Sequence, residues 1–217
     1  MVVEFGAAPR QDVIDRFVAG AKVSDSELTE VWTTTTQTSG VWNAPGYRRV
    51  FETIRSLNAN NSHKVRVILG DPGRAAALCG RTDLESGQPC IDRDAFMAAA
   101  ALAELGAGHR VLILAGVFHV WRPPDSREAS AMSRIVAPGH EPYVLLPFGP
   151  LANNKAVRDH IAQLPGTSIV TDPWLDTVPS SALRGTTTVD CDNPPCETPD
   201  TSGSLKDVAD GFVNLEP

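Results

Sequence analysis

At 217 residues and 23.2 kDa the chain has room for one well-packed domain and little more. Its formal net charge of −7, from 19 basic and 26 acidic side chains, argues against nucleic acid as a main partner, because phosphate binding needs a basic face. No stretch approaches the ~20 consecutive apolar residues of a transmembrane helix, so no membrane span is expected.

The chain opens on an apolar run at residues 2–5, with no charged region, apolar stretch and cleavage site of a signal peptide ahead of it. A domain rarely begins on a central strand, so the expectation is that an upstream segment was removed or that the true start lies further upstream. Similar runs follow at 65–69 and 111–114. Each is nearly continuous Val, Ile or Leu, the pattern of strands buried on both faces of a parallel sheet. Two further strands are predicted at 143–146 and 168–171.

Helices are predicted between them. Residues 9–19 place Val13, Ile14, Phe17 and Val18 on one stripe, with Pro9 suited to the first turn. Residues 26–37 and 47–58 read as two more, the latter with Val50, Phe51, Ile54 and Leu57 at helical spacing. Arg48 and Arg49 belong to a solvated helix face. Asp92 is placed to cap a helix at 93–105, buried through Phe96, Met97, Ala100 and Leu105 and ended by Gly106 and Gly108. The last helix is expected at 153–164. Strands alternating with helices predict an α/β fold with three layers: a mostly parallel central sheet and helices on both faces. That domain spans 1–172. Residues 173–206, dense in Pro, Thr, Ser and Asp, read as an extended segment, and 207–217 as a C-terminal strand returning to the sheet.

In open α/β sheets ligands bind beyond the carboxyl ends of the strands. Three ionisable residues are expected there: Glu4 in the first run, Asp71 in Gly70-Asp71-Pro72-Gly73, and His119 after Ala115-Gly116-Val117-Phe118. Two carboxylates and an imidazole suit general acid–base work or a divalent metal. Other roles stand beside this. Glu4 can pair with an arginine such as Arg10 or Arg16, Asp71 is a good turn residue, and His119 can be a hydrogen-bonding residue at a strand end. His63, His109, His140 and His160 read as surface or helix-end residues. Trp32, Gln37 and Trp42, around a run of hydroxyl side chains, can line a pocket for a flat or sugar-like ligand, or pack as an amphipathic face.

The four cysteines form two close pairs, Cys79 with Cys90 and Cys191 with Cys196, in segments rich in Gly, Pro, Asp and Thr. Two loop disulfides in an exported, extracytoplasmic protein are expected, against four thiols in a cytoplasmic one. Gly70–Gly73 lacks the lysine and spacing of a phosphate-cradling loop, and neither G-x-S-x-G nor G-x-G-x-x-G is present.

Taken in order, several segments resemble the erythromycin esterase-like family, within the wider group of ChaN-like haem-uptake and Tiki-like proteins. Val2-Val3-Glu4 is similar to its apolar strand ending in glutamate. The helix ending in Arg55-Ser-Leu-Asn58, then Val65-Arg-Val-Ile-Leu-Gly-Asp71, is similar to its helix ending in R-x-x-N, followed by a strand and G-x-D. Arg93-Asp94-Ala-Phe-Met97-Ala98 is similar to its R-D-x-x-M-A helix start, and Ala115-Gly-Val-Phe-His119-Val120 to the end of its A-H-N-x-H-V element. The likeness spans about residues 2–120, with an echo at Asp210-Gly-Phe-Val. The family's G-E-x-x-H-G motif has no counterpart here, and its first histidine and asparagine of A-H-N-x-H are replaced by Gly116 and Val117.

The resemblance implies a hydrolase of esters or lactones whose catalytic residues are Glu4, Asp71, Arg93 and His119. His119 serves as acid or base, Glu4 orients it or activates water, and Arg93 stabilises developing negative charge. Within the wider group, the alternative is a non-catalytic binder of haem, a metal or another small ligand. A small-molecule partner is expected either way; no cofactor and no oligomeric state follow from the sequence.

Overall fold

The computed structural model describes residues 1–37, 40, 42–78, 90–120, 130–136, 138–147, 155, 159–160, 162–163, 168–171, 173–178 and 204–214. The fold is α/β and contains a parallel three-stranded sheet. The chain divides into two compact units, Met1–Gly116 and Val117–Pro217, a boundary that the reading of one domain over 1–172 does not place. The described strands correspondingly form two three-stranded sheets instead of one central sheet.

In the first unit, β1 (Val2–Ala7) lies between β2 (Ile68–Asp71) and β3 (Ile113–Leu114), all parallel. Val2 and Val3 pair with Ile68 and Leu69 on one side and with Ile113 and Leu114 on the other. The register then slips before Ala7 meets Asp71, and Glu4 stands inside that irregularity. Every residue of β1 is buried, as its apolar run predicts. β3 departs from the prediction: Leu114 is 42% exposed and Leu112 65%, so this run is not covered on both faces. β2 starts three residues later than predicted, which makes Asp71 the last residue of a strand.

After β1 a 3-10 turn at Ala8–Arg10, entered through Pro9, leads into α1 (Gln11–Val18). Val13, Ile14, Phe17 and Val18 are its buried stripe, as predicted. The next helix, α2 (Asp25–Thr33), begins at a capping box. Ser24 Oγ accepts from the Glu27 amide at 3.2 Å, and the Ser24 amide donates to Glu27 Oε2 at 3.1 Å. It ends four residues before the predicted Gln37. Thr33 and Thr34 turn their hydroxyls back onto the Thr29 and Glu30 carbonyls, at 3.0 and 2.6 Å, competing with the helix for its own acceptors.

α3 (Pro45–Asn60) buries Phe51 and Ile54, but Leu57, expected on the same stripe, is 47% exposed. Asn58 is buried instead. Its amide donates to the Val18 and Val65 carbonyls at 3.1 and 2.9 Å, and its oxygen accepts from the Val65 amide at 2.7 Å. These helices share one apolar cluster with Val3, Phe5 and Leu69. Asp92 caps α4 (Arg93–Gly106), accepting from the Ala95 amide at 3.0 Å. Met97, Ala98 and Ala101 are its buried residues, while the expected Phe96, Ala100 and Leu105 are only half-buried. Gly70 lets α4 approach: a Cβ there would stand 3.2 Å from the Val2 side chain and 3.3 Å from that of Met97.

The second unit contains the short helices α5 (Val117–Val120) and α6 (Ala131–Val136), followed by β4 (Leu145–Pro147) and β5 (Ser168–Val170). After them come α7 (Leu205–Val208) and β6 (Gly211–Asn214). β6 is the central strand, parallel to β4 and antiparallel to β5. Burial alternates along these strands: Val144, Leu146 and Val170 are buried, while Leu145 and Ile169 are exposed. Residues 173–178 are not the extended segment predicted. Pro173–Thr177 forms a 3-10 turn that buries Leu175, and Val178 beside it joins the same apolar cluster as Met132, Leu205 and Phe212. Of the helix expected at 153–164, residues 155, 159 and 160 are helical, while most of the others lie outside the described residues.

Candidate functional site

Glu4, in the irregular stretch of β1, is 4% exposed, and Asp71, at the end of β2, is 1% exposed. Ionised carboxylates at such depth require compensation, since an uncompensated buried charge costs several kcal/mol. Arg93, the first residue of α4, supplies it to both. Its Nη2 lies 3.0 Å from Glu4 Oε1 and 3.4 Å from Asp71 Oδ2. Backbone and hydroxyl donors complete the network. The Gly116 amide donates to Glu4 Oε2 at 2.6 Å. The Thr36 amide and hydroxyl donate to Asp71 at 2.9 and 2.5 Å, and the Gly73 amide at 2.8 Å. Gly73 has a φ of +88°, a turn conformation that glycine adopts at little cost. Asp71 therefore closes a turn, the structural role that its sequence context offers, and faces Arg93 at the same time.

Glu4 does not pair with Arg10 or Arg16. Arg10 bonds Glu30 at 2.7 Å, and Arg16 lies 3.1 Å from Glu27. The Arg93 Nε–H is buried and, among the described residues, has no hydrogen-bond partner. A guanidinium lying between two carboxylates occupies the position a divalent cation would need. Among the described residues no three His, Cys, Asp or Glu side chains form a metal-binding group.

Of the residues expected to bind substrate, Trp32 is a core residue. It is 6% exposed and stacks on Phe51 with ring centroids 6.3 Å apart, the packing role that the sequence offered beside a pocket wall. Gln37 is half-buried in the turn after α2, where its carbonyl accepts from Thr35 Oγ1 at 3.4 Å. Trp42 is half-buried and meets Tyr47 edge-on at 5.2 Å, and its buried Nε1–H has no hydrogen-bond partner among the described residues. Tyr47 packs 4.7 Å from Phe5, the neighbour of Glu4 in β1. Burial first, and then the charge of Glu4, push its phenol above the ordinary tyrosine range, so it remains a donor at neutral pH.

His119 is half-buried in α5 and belongs to the second unit. His63 and His109 are exposed, His109 against Glu104, and His160 stacks on Trp174. Of the cysteines only Cys90 lies among the described residues, and it is not a free thiol. Cys79, Cys191 and Cys196 lie outside them.

Sequence reading missed Thr36, the Gly116 amide and Tyr47. A backbone N–H has no side-chain signature, and the hydroxyl-rich run was the one available sign of Thr36. A separate cleft of about 590 Å³ is lined by Asp15, Val18, Arg55, Asn58, Lys64 and Arg66. Its cations are engaged within the fold: Arg55 donates to the Phe17, Gly20 and Ala21 carbonyls at 2.7–2.8 Å, and Lys64 to that of Asn61 at 2.7 Å. No protein-family model, no curated protein and no solved structure matches this chain.

Proposed function

We propose that the Glu4–Asp71–Arg93 crevice is the working site of a hydrolase acting on an ester or lactone, divergent from the erythromycin esterase-like proteins that the chain resembles. The observation that carries this reading is the burial of Glu4 and Asp71 at neighbouring parallel strands around one guanidinium. Buried, charge-paired carboxylates are candidates for chemistry, and Asp71 stands at the carboxyl end of its strand, where α/β sheets bind ligands. The fold proposed with it has three layers, supported by Val3 and Phe5 packing with α1–α3 while Gly70 meets Met97 of α4. Bridges Cys79–Cys90 and Cys191–Cys196 belong to the same reading.

In this mechanism Glu4 takes a proton from water, and the resulting hydroxide attacks the substrate carbonyl. The Arg93 Nε–H donates to the oxyanion, and the C–O bond breaks as the leaving alkoxide takes the proton that Glu4 accepted from water. The role of His119 as acid or base comes from the sequence. Both Glu4 oxygens accept hydrogen bonds within the protein, from Arg93 and from the Gly116 amide, so a water must compete for them and slow turnover is expected. This same property favours a second reading, in which the crevice binds a small organic ligand without turnover.

Hydrolysis of p-nitrophenyl butyrate decides between them. Glu4→Gln is expected to lower kcat/KM at least ~100-fold, the usual contribution of a general base, and His119→Ala to lower it comparably. Rates unchanged in both variants would remove the catalytic assignment and leave the binding one.

A further inference from the structure

The cleft of about 590 Å³ at the ends of α1 and α3 shares no lining residue with the crevice around Glu4, and three cations line it: Arg55, Lys64 and Arg66. Arg66 stands between two carboxylates, 3.4 Å from Asp15 and 3.5 Å from Glu104. Arg55 and Lys64 have no carboxylate partner among the described residues. Neutral carbonyls hold them instead. Arg55 donates to those of Phe17, Gly20 and Ala21, and Lys64 to those of Asn58 and Asn61. Such bonds fix a cation in place without cancelling its charge. The two helix ends offset roughly half a unit of it each, so a net positive charge is left facing the cleft.

Hydrogen-bonding capacity is left over as well. Arg55 has five N–H donors and makes three of these bonds, and Lys64 has three and makes two. Val18, Ala59 and Val65 give the cleft an apolar side. Its walls are tied before any ligand arrives: Asn58 bonds both Val18 and Val65, and the Arg55 guanidinium lies 4.8 Å over the Phe17 ring. A site ordered in advance spends less of its binding energy on ordering side chains. The whole chain carries a formal net charge of −7, so this positive excess is local to the cleft.

We infer that the cleft is a binding site for a small oxyanion, a carboxylate or a phosphate borne on a short apolar body, with Arg55 and Lys64 as its charged contacts. The inference does not depend on catalysis at Glu4.

The test adds benzoate, phenyl phosphate or uncharged benzyl alcohol to the 15N-labelled full chain and follows backbone amide shifts by NMR. At least one anion is expected to bind at millimolar concentration and to move the amides of Val18–Gly20 and Lys64–Arg66. Benzyl alcohol should bind about ten-fold more weakly, and the tighter of the two anions identifies the headgroup. Added NaCl should weaken the anion and leave the alcohol unaffected. Lys64→Gln removes the charge of an exposed side chain and keeps an amide donor, and it should weaken the anion about three- to five-fold. Arg55→Gln should weaken it about ten-fold; because this change can also loosen the junction of α1 and α3, the Lys64 variant carries the decision. Lys155→Gln removes the same charge from the second unit and should leave the affinity unchanged. The inference is overturned if neither anion binds, if benzyl alcohol binds as well as both, if the shifts fall on other residues, or if Lys64→Gln binds the anion as tightly as Lys155→Gln.

Discussion

Arg93 serves two buried carboxylates at once. It is the charged partner of Glu4 and Asp71, both almost fully buried. Breaking such a network by removing its cation leaves two anions under-compensated, whereas neutralising an anion along with the cation relieves much of that cost. Arg93→Met is therefore expected to destabilise the protein by about 3–5 kcal/mol, measured by urea unfolding. Adding Glu4→Gln to that variant should restore part of the loss, a coupling that a double-mutant cycle reads directly. Strict additivity of the two substitutions would mean that the contact contributes nothing. Asp71 was legible in the sequence as the polar residue that follows an apolar run, whereas Glu4, read as the end of its run, stands inside β1, which continues to Ala7. Arg93 came from the resemblance alone, since nothing in its local sequence shows that a helix start 89 residues from Glu4 returns to it.

Elements reveal a different limit. The helix at 47–58 was found with nearly its true extent, yet its burial was misjudged at the last turn, where Asn58 goes inside and Leu57 remains outside. Hydrophobic periodicity ranks side chains by apolarity, whereas this position is chosen for hydrogen bonds to Val18 and Val65. Arg55, one turn earlier, donates to carbonyls at the end of α1. The R-x-x-N pattern on which the resemblance partly rests thus fastens α3 to its neighbours, away from Glu4.

α2 yields a pH test at the same scale. Its Glu27 carboxyl is held down to about 2 from an ordinary 4.5, first by the Ser24 hydroxyl, then by the Ser24 amide and by Arg16. A carboxyl lowered in the folded state stabilises it above the unfolded value, and that contribution fades as pH falls from about 4.5 toward 2. Wild type should consequently be more stable than Glu27→Gln at pH 6 and converge with it near pH 2, measured by chemical unfolding across that range. A difference that stays constant with pH would mean that the charge of Glu27 has no part in the cap.

For the whole molecule, the α/β character was legible and the partition was not. Apolar runs report burial without saying which cluster does the burying. Leu112 and Leu114 belong to such a run and are exposed, and the tail read as extended places Leu175 and Leu205 in a core. Two apolar clusters exist, one around Val3, Phe51 and Leu69 and the other around Leu146, Leu175 and Phe212. Amides open to exchange most slowly where apolar contacts are dense and strands are paired on both sides. β1 and β6 each have a partner on both sides in their respective sheets. Hydrogen exchange followed by mass spectrometry should therefore show two separate maxima of protection along the chain, at Val2–Ala7 and at Gly211–Asn214. The two-residue strand β3, paired with β1 alone among the described residues and carrying the exposed Leu114, should exchange faster than β1. Protection confined to β1, with β6 exchanging at the rate of an open chain, would show that the second cluster does not hold its sheet together, and the division into two cores would fail with it.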